Sequence, residues 1–128
     1  REEDAVKVIL RAGGSLASRY LNRDDGCGLT ISLPRGSAGS ESILWYKHHV
    51  EANYILEGEA TVEDLTTGEK WELGPGSLYV VGPKDRHKFT KKTDLYHMSV
   101  FNPPLKGDET HDADGSYPPG GEIPPAWR

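Results

Sequence analysis

The chain has 128 residues, enough for one domain with a single core, and its 35% apolar residues, 15 glycines and 9 prolines favour a turn-rich all-β fold. Its formal net charge of −5 argues against a nucleic-acid-binding surface, and no stretch is long and apolar enough to predict a membrane span. The single cysteine, Cys27, excludes an internal disulfide and favours a location in the reducing cytoplasm.

Short apolar and β-branched segments separated by turn residues predict a series of strands. The first of them, AVKVIL, is followed by two strands on either side of an Asp-Asp-Gly turn and then by a Gly/Ser-rich loop over residues 34–39. The absence of any helical period favours a β-barrel or jelly roll over alternating strands and helices. The predicted strands cover residues 5–10, 16–23, 28–33, 42–47, 52–57, 59–65, 69–73, 76–81, 86–91 and 94–101.

The composition changes sharply towards the C-terminus. Residues 106–128 are charged, rich in glycine and proline, and without an apolar period, which predicts a barrel at residues 1–105 and a C-terminal tail at 106–128. One interpretation of this segment is a loose tail. The other is a lid over the barrel mouth, because Glu109, His111 and Tyr117 are poorly explained as residues that only keep the chain soluble.

The segment from Gly39 to Gly58 resembles the first metal-binding motif of the cupin barrels in its spacing. Trp45 and Lys47 occupy the two positions where histidines usually stand, whereas the carboxylate position is kept as Glu51. On a straight strand these three residues share one face and would point into the barrel. Tryptophan cannot bind a metal, and lysine does so only after costly deprotonation. Glu51 is therefore either a metal ligand or the partner of Lys47 or an arginine.

A second cupin-like motif begins at Gly76 and reaches His87, which stands where the motif places a ligand histidine. The spacing of His87 relative to Glu51 favours a metal site. Tyr79 lies on the strand just before His87, and its residue type alone favours a place in the core over a role as ligand.

The neighbouring residues His48 and His49 form a second candidate group. Adjacent strand residues point to opposite faces, so we interpret this pair as rim or interface residues rather than as ligands of one ion. Lys47 and Tyr46, beside them, are candidates for binding an anionic substrate.

Three longer segments carry a more specific likeness, namely WYKHHVEANYILEGEATVEDLTTGE, PGSLYVVGPKDRH and VFNPPLKGDETHDADGSYP. Together they resemble the ectoine synthases, which are cupin lyases that make a compatible solute. The likeness runs from about Gly39 to Pro118 and continues more weakly back to about Arg11. It implies an all-β cupin barrel and an iron-dependent ring closure in which N-γ-acetyl-L-2,4-diaminobutyrate loses water.

The resemblance also implies roles for individual residues. The metal ligands of the family fall on Glu51, Tyr79 and His87, an oxygen-rich set that suits Fe(II), with Zn(II) or Mn(II) as alternatives. Cupins of this kind are often dimers, so a homodimer is expected. The candidate catalytic residues are Tyr46, Glu109 and His111, and the candidate substrate-binding residues are Arg19, Ser32, Tyr46, Ser99 and Phe101.

Three substrate-side positions depart from the family. Ser15 (or Leu16) stands where the family has a tryptophan, Pro34 where it has a threonine, and Ser99 where it has a cysteine. The expected function is a cytoplasmic hydro-lyase of the ectoine synthase type. The alternatives are a cupin enzyme with a different small substrate and a non-catalytic cupin that binds a small molecule.

Overall fold

A computed structural model describes residues 7–10, 16–106 and 109–128, with the backbone alone for 7–10 and 16–19. Within these ranges the regular structure is β-strand, apart from two single 3-10 turns, and no helix is long and apolar enough to cross a membrane. The ten strands are β1 Lys7–Leu10, β2 Leu16–Leu21, β3 Thr30–Gly36, β4 Glu41–Leu44, β5 Val50–Glu57, β6 Ala60–Asp64, β7 Lys70–Leu73, β8 Leu78–Val81, β9 His87–Lys91 and β10 Leu95–Asn102.

The strands form two antiparallel sheets. One has six strands in the order β1-β2-β3-β10-β5-β8, and the other has four in the order β4-β9-β6-β7. A buried apolar cluster joins them, because it takes Ile55 from the larger sheet and Val62 and Phe89 from the smaller one. The prediction of an all-β cupin barrel is therefore confirmed.

Alternation along the strands decides which side chains enter the barrel. In β9, His87, Phe89 and Lys91 are buried, and the two residues between them are half-exposed. The same alternation runs through β10. Since side chains of a strand alternate between its two faces, these two strands place every second residue inside.

Two strand boundaries differ from the sequence prediction. Strand β3 continues to Gly36, so the predicted loop at 34–39 is wrong for its first half, and Pro34 is a buried strand residue opposite Ala17. Strand β4 ends at Leu44 rather than at residue 47. The backbone amide of Trp45 instead donates to the Gly115 carbonyl, so the tail draws the chain out of the sheet.

The C-terminal tail packs against the barrel in the part that the structure describes. Tyr117 is 1% exposed and belongs to a second apolar cluster with Tyr46 and Phe101. The backbone amide of Lys47 donates to Ser116 Oγ at 3.1 Å. These contacts place residues 115–117 against the loop that follows β4.

Gly58, in the turn between β5 and β6, is the clearest position where the fold requires glycine. Its φ is 95°, and a Cβ there would lie 2.2 Å from the Asp94 carbonyl oxygen. Gly68 has a similar φ of 79° with nothing within 4 Å.

We expect Gly68→Ala to lose about 1 kcal/mol of unfolding free energy, because only the left-handed conformation is penalised. Gly58→Ala should lose roughly 1–3 kcal/mol more, because its methyl group also collides with backbone. Urea unfolding of both variants measures the difference, and equal losses would contradict the contact with Asp94.

Candidate active site

The register of the larger sheet aligns several of the predicted site residues in one row. Reading across four strand pairs, Arg19 faces Ser32, Ser32 faces Ser99, Ser99 faces Asn53, and Asn53 faces Tyr79. Ser32, Ser99 and Asn53 are buried, so the row lies on the inner face. For Arg19 the structure gives the backbone position alone.

A neighbouring row contains the candidate carboxylate ligand. Glu51 on β5 faces Phe101 on β10 and Val81 on β8. Glu51 is 5% exposed, and a carboxylate buried to this extent requires a cation or hydrogen-bond donors. Tyr79 lies two residues before Val81, so the two oxygen ligands occupy adjacent rows.

Glu51 and Tyr79 line one cavity between the sheets and the tail. About 50 Å³ of it admits a water-sized sphere, so a larger molecule enters only if side chains move. Its wall is formed by Ser42, Leu44, Tyr46, Glu51, Asn53, Tyr79, Phe89, Lys91, His97 and His111.

His87 presents one imidazole nitrogen that makes no hydrogen bond to any described residue. Its Nδ1 lies 2.8 Å from the Asp85 carbonyl, which can only accept, so the proton is on Nδ1 and Nε2 carries a lone pair. Nε2 is buried and has no hydrogen-bond partner among the described residues. Burial lowers the pKa of His87, which keeps the imidazole neutral. A neutral, oriented imidazole with a buried lone pair has the state required of a metal ligand.

His87 reaches the site from the smaller sheet. It lines a groove of about 490 Å³ between the edge strands β7 and β8, and Tyr79 belongs to both this groove and the cavity. In the described part of the chain, no three His, Cys, Asp or Glu residues cluster as a metal site. A Glu/Tyr/His set contains only two residues of those types. The orphaned Nε2 and the buried Glu51 carboxylate fit a metal ion.

Tyr46 connects the cavity to the tail. A hydrogen bond of 2.9 Å joins its hydroxyl to His111 Nε2, and the His111 ring stacks on Tyr117 at 4.5 Å. Phe101 packs edge-on against Tyr46 at 5.3 Å. Phe101 therefore supports Tyr46 from behind, whereas Tyr46 and His111 face the cavity.

The spacing of Trp45 and Lys47 from Glu51 predicts that both point into the barrel, but neither does. Because β4 ends at Leu44, alternation no longer applies, and the intervening Tyr46 is the buried residue. Lys47 lies outside, where its ammonium pairs with Asp114 at 2.5 Å. It is therefore neither the partner of Glu51 nor a group of the cavity.

The interpretation of His49 as a rim residue is wrong. Its side chain is 0% exposed and packs edge-on against Phe101 and Tyr117, because the turn at 47–48 folds it under the tail. His48 is half-exposed. Burial lowers the pKa of His49 to about 4, assisted by the charge of His48 and of Arg23 and opposed by that of Glu109.

The other predicted site residues do not form part of the cavity wall. Glu109, the candidate base, accepts a hydrogen bond of 2.8 Å from the Lys106 amide and is not part of the cavity wall. Ser99 lies behind Asn53, to which its hydroxyl donates at 2.7 Å. Ser15 is outside the described residues.

Sequence reasoning missed the half-exposed Ser42 and three further polar residues of the cavity wall, namely Asn53, Lys91 and His97. All three are buried. Period-two counting from Glu51 along β5 and from His87 along β9 would have found Asn53 and Lys91, since both keep the parity of a proposed ligand.

The pKa of His49 leads to a prediction about stability. Between pH 6.5 and 4 the unfolded chain takes up a proton at this residue that the folded chain does not. Stability is therefore highest above that window and falls as the pH drops through it, by on the order of 2 kcal/mol. In urea unfolding of metal-free protein, the unfolding free energy of His49→Phe should depend less on pH than that of wild type. His87 contributes equally to the pH dependence of the two proteins. His48→Gln removes only a neighbouring charge and should lose much less of the pH dependence than His49→Phe does, and an unchanged pH dependence in His49→Phe would contradict the assignment.

Comparison with known proteins identifies the family and the fold of the chain. A sequence model of the family described as ectoine synthase matches residues 6–120. L-ectoine synthase from Oceanobacillus iheyensis is 45% identical over 100 residues, which are 78% of each chain. The crystal structure of ectoine synthase from P. lautus superposes with a TM-score of 0.70 and 32% identity, covering 82% of this chain and 72% of that one. The fold is shared by an RmlC-like cupin from Shewanella frigidimarina. That protein is 22% identical and has a TM-score of 0.63, covering 76% of this chain and 83% of its own. The chain thus belongs to the ectoine synthase family of hydro-lyases.

Proposed function

We propose that the protein closes the ring of N-γ-acetyl-L-2,4-diaminobutyrate with loss of water, using a metal ion held by Glu51, Tyr79 and His87. The observation that carries this proposal is the buried, unpartnered Nε2 of His87 close to the cavity that contains Glu51 and Tyr79. Family membership supports the ring-closing reaction.

The three proposed ligands offer a carboxylate, a phenol oxygen and an imidazole nitrogen. This oxygen-rich set suits Fe(II), and Zn(II) or Mn(II) are also compatible with it. A Lewis-acidic ion bound there would polarise the amide carbonyl of the substrate, which is otherwise a poor electrophile. The Asp85 carbonyl holds the His87 ring in its orientation, since it fixes the Nδ1 proton.

Proton transfer is assigned to residues at the tail side of the cavity. The attacking amine must lose its proton, and the departing oxygen must gain protons to leave as water. The hydrogen bond between Tyr46 and His111 offers a pair that holds and moves a proton at the Tyr46 hydroxyl. Glu109, also proposed as a base, would have to release the Lys106 amide to act at the cavity.

The tail is proposed to act as the lid of the site. Its residues His111 and Tyr117 form a stack over Tyr46, and the ion pair between Lys47 and Asp114 ties it to the loop after β4. A closed lid excludes water, which favours dehydration over the reverse reaction and strengthens the electrostatic interactions within the cavity.

A homodimer and a cytoplasmic location complete the proposal. Leu78 and Tyr54 are paired neighbours on the outer face of the larger sheet, where Leu78 is 63% exposed. With Leu56 and Val80 they form an apolar surface of the kind that a second subunit covers. The free thiol of Cys27 is compatible with a reducing compartment.

The ligand assignment predicts the metal content of variants. Glu51→Ala, Tyr79→Phe and His87→Ala should each weaken Fe(II) binding by about tenfold or more, because each removes one donor. Iron analysis after anaerobic reconstitution and gel filtration measures this. His48→Ala is the matched control and should bind iron as wild type does. Full iron retention in the triple variant would refute the ligand set.

The reaction predicts a mass change. Iron-loaded protein incubated with N-γ-acetyl-L-2,4-diaminobutyrate should give a product lighter by one water molecule in mass spectrometry, and His87→Ala should not. Unchanged substrate, under conditions in which the Oceanobacillus iheyensis relative turns over, would contradict the proposal. That outcome would favour another small substrate. Such a substrate would be in line with Pro34 and Ser99, which are buried and stand at positions where this chain departs from the family.

A further inference from the structure

The inner end of the cavity holds a polar group that the proposed metal site does not use. Asn53 is 1% exposed, and one end of its amide is held by the Ser99 hydroxyl at 2.7 Å. The other end, Nδ2, has no hydrogen-bond partner among the described residues, although it is buried. An unsatisfied buried donor destabilises the fold, so its place in the cavity wall indicates a donor kept for a ligand.

Lys91 brings a positive charge to the same cavity from the opposite sheet. It is 6% exposed, and its ammonium lies 5.5 Å from the centre of the Phe89 ring. Its stem passes Gly36, where a Cβ would be 2.3 Å from Lys91 Cε. Gly36 does not have a left-handed φ, so no turn requires glycine there. The absence of a side chain instead leaves room for the stem of Lys91.

The three buried residues of β9 follow one another from the proposed metal site along the cavity wall. Phe89 and Lys91 line the cavity, whereas His87 lies in the adjoining groove that shares Tyr79 with it, about 13 Å along the strand from Lys91 at roughly 3.3 Å per residue. Phe89 stacks on Tyr79 at 5.8 Å and supplies an apolar surface between two polar ends. Such a wall suits a molecule with an acyl oxygen at one end, methylene groups in the middle and an anion at the other.

From this arrangement, and resting on the proposed function, we propose that Lys91 and Asn53 form the carboxylate subsite of the cavity and select substrates with an acidic end. Lys91 supplies the charge, and Asn53 Nδ2, oriented by Ser99, supplies a directed hydrogen bond. The long lysine side chain fills part of the small closed cavity and retracts as the ligand enters.

Isothermal titration calorimetry of the iron-loaded protein with two probes tests the subsite. The probes are N-γ-acetyl-L-2,4-diaminobutyrate and the same molecule with its α-carboxylate converted to a carboxamide. Wild type should bind the carboxylate probe about tenfold or more tighter, as expected for charge-assisted hydrogen bonds. Lys91→Met should bind both probes with the affinity that wild type has for the carboxamide, whereas Lys91→Arg should restore most of the preference.

Two further comparisons separate the subsite from general effects on the fold. Lys88→Met removes a charge from the same strand at a residue that pairs with Glu63, and should keep the wild-type preference. Gly36→Ala displaces the Lys91 stem without removing its charge and should reduce the preference, whereas Gly74→Ala, which has open space around it, should not. Thermal unfolding and iron content verify that each variant is folded and loaded.

The outcomes distinguish the subsite from the reaction. If wild type prefers the carboxylate probe but releases no water, the subsite stands and the reaction fails. If Lys91→Met keeps both the preference and the wild-type KM, the subsite is overturned while the reaction stands. The subsite is also overturned if Lys91→Met binds both probes more weakly by the same factor or loses its iron. It is overturned as well if wild type binds neither probe.

Discussion

The pairing of β10 with β3 on one side and β5 on the other is the constraint on which the site depends. This register places Ser99 between Ser32 and Asn53, and it places Phe101 beside Glu51. Because strand residues alternate between two faces, a slip of one residue would turn Glu51 and Asn53 to the outside. The carboxylate of the proposed metal site and the polar row next to it therefore follow from one set of backbone hydrogen bonds.

The barrel interior combines apolar packing with polar groups that packing alone does not explain. Leu44 and Tyr79 adjoin both apolar clusters, so a continuous core surrounds the cavity. Within it, His87 Nε2 and Asn53 Nδ2 are buried without a partner among the described residues. Such groups destabilise the fold, and the apolar clusters compensate for them. Their retention in a cavity is typical of groups that are satisfied when a metal ion or a ligand binds.

The loop at 45–49 and the tail form a single unit over the cavity. Trp45 and Lys47 hydrogen-bond to the tail through their backbone amides, and this leaves Tyr46 between them to turn inwards. Tyr46 then meets His111, which lies 65 positions along the chain. The buried His49 belongs to the same unit, since its ring contacts Tyr117. Any movement of the tail thus changes the surroundings of Tyr46 directly.

Local sequence signals were sufficient for most of the fold. Alternating apolar segments and glycine turns indicated about eight to ten strands, and the described residues form ten, with boundaries displaced by a few residues. The spacing of Glu51 and His87 also predicted these two as ligand positions, whereas Tyr79 was predicted only through the resemblance to the ectoine synthases. What failed was the assumption of a straight strand over 42–47, because the hydrogen bond from Trp45 to Gly115 is a contact between distant segments.

By itself, the sequence determined the fold class through period-two alternation and turn residues, and it determined the family and the candidate ligand positions through motif spacing and the likeness of three long segments to the ectoine synthases. The tertiary structure alone decided that Tyr46, rather than Trp45 or Lys47, faces the cavity, that His49 is buried, and that Lys91 reaches the cavity holding Asn53. Those outcomes depend on which strands pair and where the tail packs. Both are long-range contacts with no local signal in the sequence.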